Sequence, residues 1–413
     1  MPSSKGLPGD WDGLVVLHAA NSYDSVKFAD QHMAEALAKL VPVLYVDPPV
    51  SFLSPLRRPE LRESLKRPRL RLLAPNLARL TPMAPPLMER PGVARVTTAL
   101  VRRSMAATAE ALTGGPGRVR ATIATSALVP TLGACRERLR VYWAQDDFVG
   151  GAELFGSSAG RIQHGEIHLA AAADIIVASN PTVAATWRDR NRPTELIPFG
   201  CDAERFAGTD EAPRAEDVDL PGPIAGFVGH LGDRIQMDLL EAVAESGVSL
   251  LLVGPRHARF ELARMQRLLA RDNVQWVGPK KFEELPSYLR AIDVGLVPYT
   301  DSAFNRGSFP LKTLEYLAAG RGVVATDLPA MRWLDTDLIR VETMATGFAN
   351  AVVEALRDPR PPAEVARRRA FAAAHSWDRR AEALAEVLGV RPSAAEERAS
   401  LQAQAPVGSD QDA

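Results

Sequence analysis

Lys312 and Glu315 are the pair of residues whose spacing points most directly to chemistry. They lie three residues apart in PLKTLEYLAAGRG (310–322), where Pro310 suits the first position of a helix and Gly320 suits its C-terminal cap. The start of such a helix presents free N–H groups and a positive dipole end, which together with the Lys312 ammonium suit a phosphate. The Glu315 carboxylate, one turn along, suits vicinal ribose hydroxyls. The pattern indicates a nucleotide site, although an ordinary i,i+3 surface ion pair explains the same spacing.

A second candidate phosphate site is the turn in FVGHLGDR (227–234). Gly229 allows the backbone to approach a phosphate closely, and the Arg234 guanidinium can bind one through two hydrogen bonds. The turn lacks the full G-x-G-x-x-G spacing, and the sequence has no P-loop G-K-S/T. Dinucleotide binding and ATP hydrolysis therefore have little support.

Short apolar runs rich in β-branched residues alternate with helical patterns along the chain, which is typical of βαβ units and parallel sheets. We expect an α/β protein with two doubly wound, Rossmann-like domains that face a cleft. The predicted strands are 14–17, 43–46, 120–125, 141–143 and 175–178 in the first series and 224–228, 249–253, 274–277, 294–297 and 323–326 in the second. The helices predicted in the first half lie near 26–40, 92–112, 160–173 and 181–190.

The length of 413 residues predicts two or three domains. Residues 208–223 contain few apolar groups and many breakers, so we predict an N-terminal domain over 1–207, a linker over 208–223 and a C-terminal domain over 224–375. A last helix is expected over 376–390, and a disordered tail over 391–413.

The composition is that of an average globular protein, with 46% hydrophobic and 24% charged residues. The formal charge of −1 gives no overall attraction to nucleic acid. Two cysteines far apart, Cys135 and Cys201, argue against a disulfide framework or a cysteine-rich zinc site. With no apolar leader and no long apolar run, we expect a cytoplasmic protein.

The charge is unevenly distributed. Residues 57–103 hold 12 Arg or Lys and three Glu, a local excess of +9, with leucines and valines interleaved. Such a segment can lie on an anionic membrane surface. A solvated face with a buried apolar stripe is the alternative.

The blocks FVGHLGDR, LVGP (252–255), VQWVGP (274–279) and PLKTLEYLAAGRG, together with IPFGCD (197–202) and HSW (375–377), resemble the donor-binding half and closing motif of GT-B glycosyltransferases. The group is often called family 4, or group 1, and includes teichuronic-acid and exopolysaccharide transferases. The resembling blocks run from about Asn21 to Leu388.

The resemblance implies a nucleotide-sugar donor in the second domain. Glu315 would hold the ribose, and Lys312 with the backbone at Leu311 would hold the diphosphate. Gly229 would lie against the same phosphates, and Arg234 would replace a cation that the family often has at His230. The remaining donor-binding candidates are His230, Gly254 and Pro310. The family's Glu-x7-Glu pattern would place its first Glu, which usually touches the sugar, at Gly307.

The same resemblance implies that the first domain binds the acceptor. Its first strand ends in LHAANSYD (17–24), so His18 is a catalytic candidate, and Asn21 and Asp24 are acceptor-binding candidates. A later strand ends in Asp146 and Asp147, which are candidates for orienting the acceptor hydroxyl or accepting its proton. A packed strand-end histidine and an Asp-rich turn or cap are the alternatives.

The resemblance implies transfer without a covalent nucleophile, because cationic and N–H groups stabilise the departing diphosphate. Retaining members use a diphosphate oxygen to take the acceptor proton. Asp335-Thr-Asp337 matches the D-x-D string of metal-dependent transferases, but it lies in the second sheet, so we expect no cofactor and no essential metal.

We therefore expect a hexosyltransferase, retaining in stereochemistry, that uses a nucleotide-sugar donor and a glycan or lipid-linked acceptor in cell-envelope or exopolysaccharide synthesis. Association with the inner face of the membrane is a further expectation. The alternatives are a sugar-nucleotide epimerase of the same fold and a non-catalytic nucleotide- or glycan-binding partner of a synthase complex.

Overall fold

The computed structural model describes residues 9–25, 27–51, 53, 68–88, 90–154, 156, 158–357 and 360–390. The chain divides into two compact units: unit 1 is Met1–Val141 with Ala381–Ala413, and unit 2 is Tyr142–Arg380. The predicted division at 208–223 stays a prediction, and the predicted tail at 391–413 lies outside the described residues.

In unit 1, parallel strands form a sheet in the order β3-β4-β2-β1-β5, with only the β3–β4 pair antiparallel among these strands. The strands are β1 (Leu14–His18), β2 (Val43–Val46), β3 (Leu70–Ala74), β4 (Leu77–Leu80) and β5 (Val119–Ala124), and the helices are α1 (Ala29–Leu37) and α2 (Pro91–Thr113). Strand β6 (Leu139–Ala144) contains the division between the units.

The core of unit 1 forms where α2 packs against this sheet. Val101, Met105 and Leu112 recur at helical spacing and share one hydrophobic cluster with Leu14 and Val46. Strands β1, β2 and β4 are fully buried, as expected for parallel strands covered on their faces.

Unit 2 contains a second sheet in the order β11-β10-β9-β12-β13-β14, in which every pair is parallel. Its strands are β9 (Ile224–Val228), β10 (Ser249–Val253), β11 (Val274–Trp276), β12 (Val294–Val297), β13 (Gly322–Ala325) and β14 (Ile339–Val341). The strand order reverses between β9 and β12. Open α/β sheets bind ligands outside the carboxyl ends of the strands at such a switch point.

The remaining elements of unit 2 include a parallel pair of strands, β7 and β8. They are α3 (Ala159–Ala172), β7 (Ile175–Ala178), α4 (Pro181–Asp189), β8 (Thr194–Leu196), α5 (Ala203–Ala207), α6 (Met237–Glu245), α7 (Leu262–Leu269), α8 (Leu285–Ala291), α9 (Ala303–Arg306), α10 (Leu311–Ala318), α11 (Pro329–Leu334), α12 (Ala345–Arg357) and α13 (Pro362–Ala374), with 3₁₀ turns at Gly208–Asp210 and Phe282–Glu284. Helix α14 (Trp377–Val387) begins in unit 2 and ends in unit 1.

The polar segment 208–223 is bound closely to the rest of unit 2. Asp210 accepts from the Arg321 guanidinium at 2.7 Å, and Asp217 accepts from Lys280 at 2.6 Å. Thr209 and Leu220 are buried. A segment with few apolar residues is therefore held mainly by its carboxylates.

The structure corrects the sequence analysis at one cation of the basic segment. Arg79 was counted as part of a surface patch, but its side chain is 2% exposed and bonds to Asp47, which is equally buried. Residues 57, 58, 62, 66 and 67 lie outside the described residues. Val96 and Leu100 on α2 are about half-exposed, as a solvent- or membrane-facing apolar stripe requires.

In the described part of the chain, no helix combines the length and apolar character needed to cross a bilayer.

Candidate active site

Two glycines meet at the carboxyl ends of β9 and β10. The Gly229 N–H donates to the Val253 carbonyl at 2.8 Å, and Gly254 has a φ of +133°. A Cβ on Gly254 would collide with the Gly229 carbonyl, so the two backbones approach more closely than any side chain allows. The predicted donor residues Gly229 and Gly254 are therefore brought together at the carboxyl ends of β9 and β10.

Lys312 and Glu315 form an ion pair in the first turns of α10. The Lys312 ammonium lies 2.7 Å from Glu315 Oε2, and the Glu315 side chain is 10% exposed. Pro310 precedes the helix as its N-cap. The alternative interpretation of the spacing is an ordinary ion pair on the protein surface. Such a pair would have an exposed carboxylate, whereas that of Glu315 is largely buried.

Tyr316, the residue after Glu315, fixes helix α10 to the end of β9. The Val228 N–H donates to the Tyr316 hydroxyl at 2.8 Å. A Cβ on Gly295 of β12 would strike the Tyr316 ring, so this strand has room for the phenol only because residue 295 is glycine. The contact holds the start of α10 in register with the glycine turn.

Arg234 is held between two aromatic rings. Its guanidinium lies 4.8 Å from the centre of the Tyr299 ring and 4.9 Å from that of Phe304, and Nε donates to Asn305 at 2.8 Å. Stacking and one hydrogen bond fix the orientation of the guanidinium and leave its terminal N–H groups available for a ligand. His230 is exposed, and partial desolvation of its imidazole together with the neighbouring His257 lowers its pKa.

Asp146 and Asp147 lie beside the loop that precedes α10. The Ser308 hydroxyl donates to Asp146 Oδ1 at 3.0 Å. Burial raises the pKa of Asp146 to about 6, although the Arg234 charge and the Ser308 hydrogen bond act in the opposite direction. Asp147 Oδ1 accepts from the Gly150 N–H at 2.8 Å, which is a turn contact. Of the two carboxylates, Asp146 is the better placed for proton chemistry.

Gly307 is packed against Asp147. The Asp147 N–H donates to the Gly307 carbonyl at 3.2 Å, and the Asn180 amide donates to the same oxygen. A Cβ at residue 307 would collide with the Asp147 Cβ. The position where the family pattern has a glutamate therefore has no space for a side chain here.

His18 ends β1 in unit 1 and is 1% exposed. Its Nδ1 lies 3.1 Å from the Thr131 hydroxyl, and its Nε2 has no hydrogen-bond partner among the described residues. Burial lowers the pKa of the imidazole to about 4, so the ring is neutral near pH 7. A neutral ring with one uncommitted nitrogen can make one further hydrogen bond.

Asn21 and Asp24, the other candidates in unit 1, make internal contacts. The Asn21 amide donates to Asp30 at 3.0 Å. Asp24 accepts from Arg79 at 2.5 Å and from Arg71 at 3.1 Å. Burial raises the pKa of Asp24, but these two guanidinium groups outweigh it and hold the pKa below its usual value. Both side chains brace the loop after β1.

Asn180, Ser308 and Glu166, all in unit 2, were not predicted as site residues. Asn180 caps α4 by accepting from the Val183 N–H at 2.9 Å, and the Asn-Pro pair at the predicted helix start did signal that cap. No local signal marks its second bond to Gly307, or the bond of Ser308 to Asp146. Glu166 accepts from the Tyr142 hydroxyl at 3.1 Å, and burial raises its pKa to about 7.

No group of three or more His, Cys, Asp or Glu in the described ranges is arranged to hold a metal ion. Asp337 of the D-x-D string pairs with Arg367 at 2.8 Å.

Comparison with known proteins fits this geometry. Residues 222–358 match the family model described as glycosyl transferases group 1. Over 134 residues the chain is 35% identical to TuaH of Bacillus subtilis (strain 168), named as a teichuronic acid biosynthesis glycosyltransferase. The match covers 32% of this chain and 34% of TuaH, so the chain spans about a third of the length of the curated relative it matches.

Solved structures extend the likeness to nearly the whole fold. Sucrose-phosphate synthase of Thermosynechococcus elongatus has a TM-score of 0.69 at 19% identity, covering 94% of this chain and 99% of that one. Anabaena HepE in complex with UDP and glucose has a TM-score of 0.61 at 14% identity, covering 92% and 99%. An E. coli trehalose-6-phosphate protein bound with UDP-2-fluoro glucose has a TM-score of 0.64 at 14% identity, covering 91% and 98%. The predicted GT-B fold is confirmed.

Proposed function

We propose that this chain is a glycosyltransferase that moves a sugar, as a hexosyl group, from a nucleotide-diphosphate sugar to a hydroxyl acceptor. The observation that carries the proposal is the Lys312–Glu315 pair, which is largely buried at the start of α10 inside the segment that matches the group 1 model. Gly229 supports it, because this glycine is only partly buried and a residue without a side chain lets a phosphate approach the backbone closely.

In this proposal the N–H groups at Leu311 and the Lys312 ammonium hold the diphosphate. Glu315 accepts hydrogen bonds from the ribose, and the stacked Arg234 supplies a second cation. Because Lys312 and Glu315 are bonded to each other, the nucleotide must loosen that pair on binding. UDP is the nucleotide named with the similar Anabaena and E. coli proteins, so uridine nucleotides are the first to test.

The reaction breaks the bond between the anomeric carbon and the diphosphate oxygen and forms a bond from the acceptor oxygen to the same carbon. In the retaining form that we propose, a diphosphate oxygen takes the acceptor proton, while Asp146 orients the acceptor hydroxyl as its hydrogen-bond acceptor. Lys312 and Arg234 stabilise the charge on the leaving group, so we expect turnover to persist in EDTA.

We further propose that the acceptor belongs to a cell-envelope or exported polysaccharide and that the protein works at the inner face of the membrane. The name of the TuaH relative supports the first part. The second part is supported by α2, where exposed Val96 and Leu100 lie beside exposed Arg95 and Arg103. Sedimentation with anionic vesicles at low salt, lost on reversing the charges of Arg95 and Arg103, is the expected result.

Release of nucleoside diphosphate from a panel of sugar nucleotides, with and without hydroxyl acceptors, tests the reaction. We expect release from one donor, stimulated by acceptor, and none in Glu315→Ala. A change of the sugar within its nucleotide, without acceptor, would instead indicate an epimerase.

Binding without turnover is a second candidate function, because Gly307 leaves no room for the carboxylate that usually touches the donor sugar in this family. It predicts that nucleotide sugars raise the melting temperature while no donor is consumed under any acceptor condition.

A further inference from the structure

A cavity of about 220 Å³ lies in unit 2, and none of the donor and acceptor residues discussed above lines it. It is bounded by the chain just past β12, β13 and β14, at Tyr299, Thr326 and Thr343. The carboxyl ends of parallel strands are where α/β sheets bind ligands. This volume lies below the range of about 300–1,000 Å³ that is usual for ligand pockets, so it suits a ligand no larger than about one sugar ring.

The charges that line this cavity are paired. Asp327 makes two hydrogen bonds to Arg332, at 2.8 and 2.7 Å, and both residues line the cavity. Asp301, also in the lining, makes two hydrogen bonds to Arg306, at 2.5 and 2.7 Å. An anion would therefore meet two carboxylates, and a cation would meet Arg332. A neutral polar ligand meets neither penalty.

Three of the other polar groups in the lining are uncommitted, whereas the Thr326 hydroxyl donates to the Val297 carbonyl at 3.4 Å. Among the described residues, no hydrogen bond is made by the side-chain amide of Gln236, the Tyr299 hydroxyl or the Thr343 hydroxyl. Leu328 supplies a buried apolar wall. The hydroxyl and amide groups can both donate to and accept from the hydroxyls of a pyranose. The apolar surface suits its C–H face, and the paired carboxylate and guanidinium groups leave the lining without an excess of charge that would exclude a neutral sugar.

We propose that this cavity is a subsite for one neutral pyranose unit, separate from the donor site. Tyr299 joins the two regions, because its hydroxyl-bearing ring lines the cavity and also stacks against Arg234 at 4.8 Å. A bound sugar would contact the ring that positions the proposed phosphate-binding guanidinium. The proposal does not depend on transfer, since it concerns binding alone.

Saturation-transfer NMR with methyl pyranosides of glucose, galactose, mannose and N-acetylglucosamine tests the subsite on the full chain. We expect a signal from at least one of them that is lost in Thr343→Trp, which fills the cavity. Thr346→Trp is the matched control, because Thr346 is equally exposed three residues on and is not part of the lining. The signal should persist in Glu315→Ala, which disables the proposed donor site.

No signal from any pyranoside, or a signal that Thr343→Trp leaves unchanged, would overturn the subsite. Loss of the signal in Glu315→Ala would assign the sugar to the donor site and would also overturn it. Tighter binding of glucose 6-phosphate than of methyl glucoside would contradict a neutral ligand. If Thr343→Trp does not fold, Asp327→Asn should weaken binding at least fivefold, and unchanged affinity would count against the subsite. A failed transfer assay affects none of these readouts.

Discussion

The loop after β1 in unit 1 and the loop after β6 in unit 2 both carry polar residues at strand ends, yet the contacts of these residues differ. In the first, Asn21 and Asp24 are bound by Asp30, Arg71 and Arg79. In the second, Asp146 has one hydroxyl partner, Ser308. The first loop is braced by its own side chains, whereas the second leaves groups available for a ligand.

This difference shows why position at a strand end is a weak guide to chemistry. Asp24 and Asp146 both follow strands of the sequence-predicted first domain, but two guanidinium groups lower the pKa of Asp24, whereas burial raises that of Asp146. A carboxylate with a single hydroxyl partner keeps capacity to accept a further hydrogen bond, as the proposed role of Asp146 requires. Asn21 and Asp24 therefore brace the loop after β1, whereas Asp146 is the carboxylate whose surroundings suit the proposed hydrogen bond to the acceptor.

Arg79→Ala tests the supporting role and should have the largest effect. It leaves the Asp47 carboxylate buried with only Thr81 and the Tyr23 N–H as partners, which should cost about 3–5 kcal/mol of stability. Denaturant or thermal unfolding measures this. Arg332→Ala removes an exposed ion pair and is the control, expected to change little. Comparable stability of the two variants would contradict the supporting role of Arg79 in unit 1.

Asp146→Asn tests the chemical role and should lower kcat about 100-fold while leaving nucleotide binding intact. Because the ionised carboxylate is the hydrogen-bond acceptor, wild-type activity should rise with pH through about 6. The raised pKa also means that the contribution of Asp146 to stability is lost as pH rises through the same value. Asp147→Asn, which alters a turn contact, should cost less. Equal losses in both variants would contradict the assignment.

Glu315→Ala should weaken nucleotide binding by about 10- to 100-fold, the range for a hydrogen bond to a charged group. Titration calorimetry with the nucleotide that binds best gives the affinity. Glu364→Ala, which removes another i,i+3 ion pair on a helix, should leave affinity unchanged. An unaltered affinity in Glu315→Ala would reduce its pair with Lys312 to a structural contact.

Ser308→Ala should have the smallest effect, and it sharpens the role of Asp146. Removing the hydroxyl that stabilises the ionised carboxylate should move the activity inflection upward by about 0.5–1 pH unit. Ser287→Ala, on α8, is the control. A lower kcat without movement of the inflection would show that Ser308 acts on folding of the loop instead.

Much of the fold could be predicted because its signals are local. The strands predicted in the second series match β9, β10, β11, β12 and β13 to within a residue, since each is a short apolar run between breakers. Strands β3, β4, β8 and β14 were missed. In β4 the buried Arg79 looks like a surface residue, because its partner Asp47 lies 32 residues away. Short edge strands such as Thr194–Leu196 carry too few residues for a pattern.

The donor side of the site was predictable for the same reason. Lys312 and Glu315 interact within one helix, so their contact can be predicted from their spacing in the sequence. The contacts of Ser308 with Asp146 and of Asn180 with Gly307 join residues 162 and 127 positions apart, and no local pattern encodes them. Only the folded chain explains why residue 307 has no side chain.

A thermal-shift panel of UDP, GDP, ADP and dTDP with the wild type and Lys312→Ala tests the central claim most directly. A ligand near one hundred times its Kd adds about 2.7 kcal/mol, so one nucleotide should raise the melting temperature of the wild type by about 5 °C or more. The shift should shrink or vanish in Lys312→Ala. No shift with any of the four nucleotides, or the same shift in both proteins, would contradict a nucleotide site at the start of α10.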